Sequence, residues 1–151
     1  MQQVLGRILR ILPVTQSIDW QVSNAAVWQR GRWQSDFVSF PETQTQVLDD
    51  LLHIDAQKES LQLNTAQFVA GLPANNALLW GARGAGKSSL IHGLLHEYSD
   101  QGLRLVELRK DELQELSEIV ARLSAEPYRF IVFCDDLSFE EDDASYKILK
   151  S

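Results

Sequence analysis

Apolar residues in this chain fall into short uninterrupted runs separated by stretches with helical spacing. Residues 77–80, 103–108 and 130–134 are short buried-strand patterns, 4–6 residues long, each bounded by turn-forming or charged positions. Between them the period lengthens. Leu61, Phe68 and Val69 form one apolar face, opened by Asp55 as a helix cap and closed by Gly71 with Pro73 beyond. Leu90, Ile91, Leu94, Leu95 and Tyr98 keep helical spacing until Gly102. Leu113, Leu116, Ile119, Val120 and Leu123 form a third face, which Asp111 and Gln114 open as a capping box and Pro127 ends. Strand, helix, strand, helix, strand in this order predicts an α/β fold with a parallel sheet and flanking helices. Strands that are apolar almost throughout predict a sheet covered on both faces.

The first forty residues follow another pattern. Val4, Leu5, Ile8, Leu9 and Leu12 describe a short amphipathic helix ending near Pro13, packed on the domain or a partner. Residues 14–44 carry Trp20, Trp28, Trp33, Phe37 and Phe40 among polar residues, with a turn at Arg30-Gly31. They are expected to form a small apolar cluster; stacking on nucleobases is the alternative. The chain thus divides into a helical and aromatic N-terminal extension, residues 1–44, and an α/β domain over residues 45–151.

Charge and cysteine content narrow the classes. A net charge of −7 excludes a broad nucleic-acid footprint, although Arg7, Arg10, Arg30 and Arg32 outnumber Asp19 and Asp36 in residues 1–40. No apolar stretch is long enough to span a bilayer, and Arg7 and Arg10 interrupt the segment that a signal peptide would need. A single cysteine, Cys134, excludes an internal disulfide and fits a cytoplasmic protein.

The chemistry is concentrated in Gly81-Ala82-Arg83-Gly84-Ala85-Gly86-Lys87-Ser88, which fills every fixed position of a phosphate-binding loop between a strand and a helix. Such a loop must aim successive backbone N–H groups inward, so glycines stand where φ is positive or the ligand comes close. The helix that follows presents its N-terminal amides and dipole to the same anion. Lys87 is placed to reach the β and γ phosphates and Ser88 to ligate Mg²⁺, while Ser89 adds a hydroxyl or amide on the α-phosphate side. In residues 130–136 an apolar strand delivers Asp135 and Asp136 to its C-terminal end, where ligands of parallel sheets sit. Asp135 is expected to hold the Mg²⁺ shell opposite Ser88, and Asp136 to orient the attacking water.

These residues resemble the AAA+ branch of P-loop ATPases. More narrowly, "LPANNALLWGARGAGKSSL" with "RFIVFCDDLSFEEDDASYKILKS" is similar to a bacterial family of predicted AAA+-like ATPases known as domain of unknown function 815. The resemblance covers about residues 45–151 and implies ATP and Mg²⁺ as ligands. It also implies that Leu52 and Ile54, in "VLDDLLHIDAQ", contact the adenine base; a plain core role is the alternative. Homo-oligomerisation is a further implication for the full-length protein. AAA+ proteins commonly carry Glu where Asp136 stands, one methylene longer, which puts water activation in question. Their sheet order, 5-1-4-3-2, places a fourth strand between the loop strand and the Asp135 strand. The sequence ends before such a strand, a sensor residue, an arginine finger or a lid, so the 151 residues are expected to be an N-terminal part of the domain. A module that binds ATP without hydrolysing it and a P-loop phosphotransferase remain the alternatives.

Other chemically suggestive residues carry less. His92 and His96 have the spacing of a metal pair without a third ligand, and solvent-exposed histidines are expected. Cys134, on a buried strand before two acids, is expected to be inert. Arg83 is read as an exposed loop tip, and "EEDDA" as a solvated start of a helix capped by Ser138.

Overall fold

The computed structural model describes residues 18–40, 48, 54–79 and 84–135. Strand β1, Ala25–Gln29, turns back through a short loop into β2, Asp36–Ser39. Helix α1, Asp55–Val69, and helix α2, Lys87–Tyr98, precede strand β3, Leu103–Leu108. A 3₁₀ segment, Lys110–Glu115, runs into helix α3, Leu116–Leu123, and the described chain ends with strand β4, Arg129–Cys134. No helix among the described residues is long and apolar enough to cross a membrane.

The four strands form one sheet in the order β2-β1-β3-β4. β1, β3 and β4 are parallel, with Ala25 opposite Leu105 and Leu105 opposite Ile131. β2 pairs antiparallel with β1, so the sheet is mixed rather than wholly parallel. The difference lies in residues 25–39, where the aromatic segment forms a hairpin that continues the main sheet. Its strands are short, and a hairpin of five and four residues gains its stability from the strand beside it. The loop is built around Gly31, where a Cβ would lie 2.1 Å from the Gln34 carbonyl oxygen. Gly31→Ala is therefore expected to destabilise the fold by about 1–3 kcal/mol, the usual cost of overpacking, measurable by denaturant unfolding.

Strand alternation sends side chains to two cores. Ala26, Trp28, Val106 and Leu108, with Phe130 and Val132, face one side, covered by Leu113, Ile119 and Leu123. Ala25, Leu103 and Leu105, with Ile131 and Phe133, face the other, covered by Leu61 of α1 and Leu90, Ile91, Leu94 and Leu95 of α2. This is the two-sided covering that the apolar strands require. Val120, expected on the inner face of α3, is 48% exposed; Leu116, Ile119 and Leu123 carry that face instead.

Residues 77–79, the described part of the run at 77–80, do not match the expectation of a strand. Residues 77–79 run without regular structure, Leu78 is 62% exposed, and Trp80 lies outside the described residues. A strand exists only as a paired ladder, and no described strand pairs with this segment. The stretch just ahead of it is tethered to α1: the Asn64 amide donates to the Asn75 carbonyl at 2.8 Å, and the Asn75 N–H donates back to Asn64 Oδ1 at 2.9 Å.

Helix ends show what local chemistry decides. Asp55 is the first residue of α1 rather than its cap, and its carboxylate lies 3.6 Å from Lys58 Nζ in the first turn, where negative charge complements the dipole. Gly71 does end α1 with a left-handed φ of 77°, its N–H bonded to the Phe68 carbonyl. The capping box before α3 lies two residues upstream of the expected pair, since the carboxylate of fully buried Glu112 accepts the Arg109 N–H at 2.9 Å. Gln114 donates instead to the Asp111 carbonyl.

Two arginine-centred clusters fasten the hairpin. Trp28 Nε1 donates to Glu115 Oε2 at 2.8 Å, and Arg30 pairs with the other oxygen of the same carboxylate. Arg122 of α3 donates to the Ser35 carbonyl and the Asp36 carboxylate while its guanidinium lies 4.8 Å from the Phe37 ring centroid. At the opposite edge, nearly buried Arg104 donates to the carbonyls of Trp20, Ser99 and Leu103 and lies 4.2 Å over the Tyr128 ring.

Candidate functional site

Parallel β1, β3 and β4 share one carboxyl edge, and the chain leaves β4 there at Asp135. The glycine-rich loop reaches the same edge. Gly84 and Gly86 both have φ of 80°, the left-handed conformation that favours glycine, and Gly86 stands immediately before α2. Residues 77–79, the described residues ahead of the loop, are irregular rather than a strand.

α2 begins with no side-chain cap and no acid in its first turn, and its first ladder bond runs from the Leu90 N–H to the Gly86 carbonyl at 2.9 Å. Such a terminus directs its amides and the positive end of its dipole toward the loop. Lys87, Ser88 and Ser89 occupy that first turn, all partly buried, and Gly84 and Ala85 are exposed.

The two halves of the sequence motif meet here. Ser88 Oγ donates to Asp135 Oδ2 at 3.1 Å, although 47 residues separate them. Oxygens adjacent in the inner shell of a Mg²⁺ ion, held at about 2.0–2.1 Å, stand about 2.9 Å apart, so this hydroxyl–carboxylate pair has the spacing of hard-cation ligands. Among the described residues no group of three or more His, Cys, Asp or Glu side chains is placed to hold a metal. A cation at Ser88 and Asp135 would therefore draw its remaining ligands from water and from phosphate oxygens, the usual habit of Mg²⁺.

Of the expected site residues, Gly84, Ala85, Gly86, Lys87, Ser88, Ser89 and Asp135 thus gather at one edge. Ile54 lies at the start of α1, half-buried against the core that includes Leu61 and Leu90. Gly81, Ala82, Arg83, Leu52 and Asp136 lie outside the described residues, as do the N-terminal segment of residues 1–13 and the acidic stretch after Ser138.

Two neighbours of the site are resolved. His92 of α2 is only 28% exposed at its side chain and places Nε2 3.1 Å from Glu107 Oε1 of β3, whereas His96 is exposed as expected. Burial, and next the Asp135 carboxylate, push the Cys134 thiol up to about 11, so the thiol stays protonated and inert at neutral pH. Alkylation of Cys134 by iodoacetamide at pH 8 is expected to run about a hundredfold slower in the folded chain than in urea, which mass spectrometry reads directly.

Missed by sequence reasoning were the hairpin strands and the exposed Trp33 at the tip between them; the short apolar run of residues 25–28 ahead of the Arg30-Gly31 turn was the one local hint. No curated protein and no solved structure matches the chain. The profile of one family, described as protein of unknown function (DUF815), matches residues 21–151. That span includes the hairpin, the glycine-rich loop and Asp135, and the chain belongs to the DUF815 family.

Proposed function

We propose that the carboxyl edge binds Mg·ATP in the manner of an AAA+-like P-loop ATPase. The observation that carries this reading is the Ser88–Asp135 contact at 3.1 Å, which joins the phosphate-loop serine to the strand-end acid. The left-handed Gly84 and Gly86 and the uncapped start of α2 support it, because together they form a concentration of backbone donors suited to an anion. In this reading residues 81–86 and the first amides of α2 hold the triphosphate, and Lys87 neutralises its β and γ oxygens. Ser88 and Asp135 hold Mg²⁺, with Ser89 toward the α-phosphate. Leu52 and Ile54 flank the base, and Asp136 orients water for hydrolysis. The ion supplies charge neutralisation at the phosphates; the protein supplies position. Homo-oligomerisation and a cytoplasmic location belong to the same proposal.

Calorimetric titration with ATP, ADP, AMP and adenosine tests the site. Affinity is expected to fall with each phosphate removed, since the donors all address phosphate. Equal affinity for ATP and adenosine would sink the reading. Phosphate release measured alongside separates the activities: release that depends on Lys87 marks hydrolysis, and binding without release marks a nucleotide-binding module. Label recovered on an added acceptor marks a phosphotransferase.

A further inference from the structure

The helix that opens the candidate site makes a second polar contact with the sheet, one turn beyond the first. Ser88 and His92 are four residues apart on α2, so they stand one above the other on the same face. Ser88 Oγ donates to Asp135 Oδ2 at 3.1 Å, and His92 Nε2 lies 3.1 Å from Glu107 Oε1. A carboxylate only accepts, so Nε2 carries the proton whether the ring is neutral or cationic.

The two acceptors are neighbours as well. Glu107 of β3 stands opposite Phe133 of β4, and Asp135 is the next residue after Phe133 on the same face. α2 is therefore stitched to two adjacent parallel strands at their carboxyl ends, by Ser88 to one and by His92 to the other. Leu90, Ile91, Leu94 and Leu95 hold α2 on the sheet, but apolar burial is non-directional and tolerates a small rotation or slide of the helix. A hydrogen bond weakens steeply off its line, so it fixes where a helical turn sits. His92 is itself braced. The Phe40 ring meets the imidazole edge to face, with centroids 6.4 Å apart and planes at 81°. The His92 and Glu107 side chains are only 28% and 31% exposed, which leaves their contact partly shielded from water. His96, a further turn along, is exposed.

This inference rests on the Mg·ATP reading of the carboxyl edge. In that reading Ser88 Oγ and Asp135 Oδ2 both turn to the cation, and their mutual hydrogen bond is given up. The His92–Glu107 pair is untouched by that exchange and continues to fix the first turns of α2 on the sheet. We infer that His92 is a positioning residue for the Mg²⁺ site: through Glu107 it holds Ser88 at ligand spacing from Asp135, without touching nucleotide or ion. Mg²⁺ demands near-octahedral ligands at about 2.0–2.1 Å, whereas a loop of backbone amides follows a phosphate more tolerantly. A displaced helical turn therefore costs metal affinity before it costs phosphate affinity.

ATP affinity measured by calorimetry on the full 151-residue chain, with excess Mg²⁺ and with chelator, tests this. Mg²⁺ is expected to tighten binding about tenfold or more in wild type and about threefold or less in His92→Leu. Affinity in chelator is expected to agree within about twofold between the two. His92→Gln, whose amide donates from nearly the position of Nε2, should recover the wild-type response. Glu107→Leu should match His92→Leu, and the double variant should be no worse than either, because all three lose one and the same contact. Melting temperatures should fall by only a few degrees, since a single partly exposed hydrogen bond is lost.

A His92→Leu or Glu107→Leu chain that keeps the full Mg²⁺ response overturns the inference and leaves the nucleotide reading standing. So does ATP binding weakened by the same factor with and without Mg²⁺, the mark of general damage to the fold. So does a His92→Gln chain that behaves as His92→Leu. ATP that fails to bind the wild type, or binds it indifferently to Mg²⁺, defeats the nucleotide reading and this inference with it.

Discussion

Replacing Lys87 by alanine is expected to weaken Mg·ATP binding about a hundredfold while leaving the fold intact. Lys87 is the first residue of α2, directly after left-handed Gly86, and in the proposed site its ammonium neutralises the β and γ phosphate oxygens. A charge-assisted hydrogen bond to an anion, lost from a site that remains otherwise built to receive it, costs about 2–3 kcal/mol. Each 1.4 kcal/mol is about tenfold in affinity. Alanine is the best helix former, so thermal stability should change little. Calorimetry on both proteins, with the melting temperature as control, reads the effect. Equal affinities in the two would remove Lys87, and with it the phosphate-loop reading, from the account.

Trp28→Ala is expected to destabilise the protein by about 3–5 kcal/mol, the range for removing a buried large aromatic side chain. Trp28 is fully buried, in edge-to-face contact with Phe37 at 4.8 Å between centroids, and has the Arg122 guanidinium 5.1 Å from its ring. Its loss would leave a cavity between β1 and α3 and take a donor from Glu115. The hydrogen bond from Trp28, together with Arg30, holds the Glu115 carboxyl below its ordinary range. A carboxylate with a lowered folded pKa contributes stability above its unfolded value of about 4.3, and that contribution fades as pH falls through the folded pKa. Trp28→Phe, which keeps most of the volume and loses the donor, should therefore differ from wild type more at pH 7 than at pH 3. Denaturant unfolding at the two pH values measures both effects. An unchanged midpoint in Trp28→Ala would contradict the central place given to the hairpin.

Those residues also show where the sequence is readable. The runs at 103–108 and 130–134 are legible as strands because β3 and β4 are covered on both faces and so are apolar almost throughout. α2 is legible because Leu90, Ile91, Leu94 and Leu95 keep one face and Gly102 stops the chain with φ of 90°. The Ser88–Asp135 pairing follows from the phosphate-loop motif and the strand-end acid, without any local signal that the two approach.

β1 and β2 were not legible for a different reason. "AAVWQ" and "DFVS" are too short to outweigh their polar neighbours, and the parallel pairing of β1 with β3 that stabilises them spans about eighty positions. No window of sequence contains that contact. The same logic undoes residues 77–80, whose composition favours a strand but whose described surroundings provide no ladder. The capping box shifted because fully buried Glu112 takes both the Arg109 N–H and the Arg109 guanidinium as donors, a choice made by burial that spacing alone does not reveal.

The account rests on Ser88 and Asp135 acting together on a cation that accompanies a nucleotide. Its most direct measurement is the Mg²⁺ dependence of ATP affinity, titrated with excess Mg²⁺ and with chelator, in the wild-type chain and in Asp135→Asn. Mg²⁺ is expected to tighten ATP binding tenfold or more in the wild type, about 1.4 kcal/mol, and to lose most of that effect in the variant. ATP that fails to bind, or that binds with an affinity indifferent both to Mg²⁺ and to Asp135, would contradict the reading of this edge as a Mg·nucleotide site.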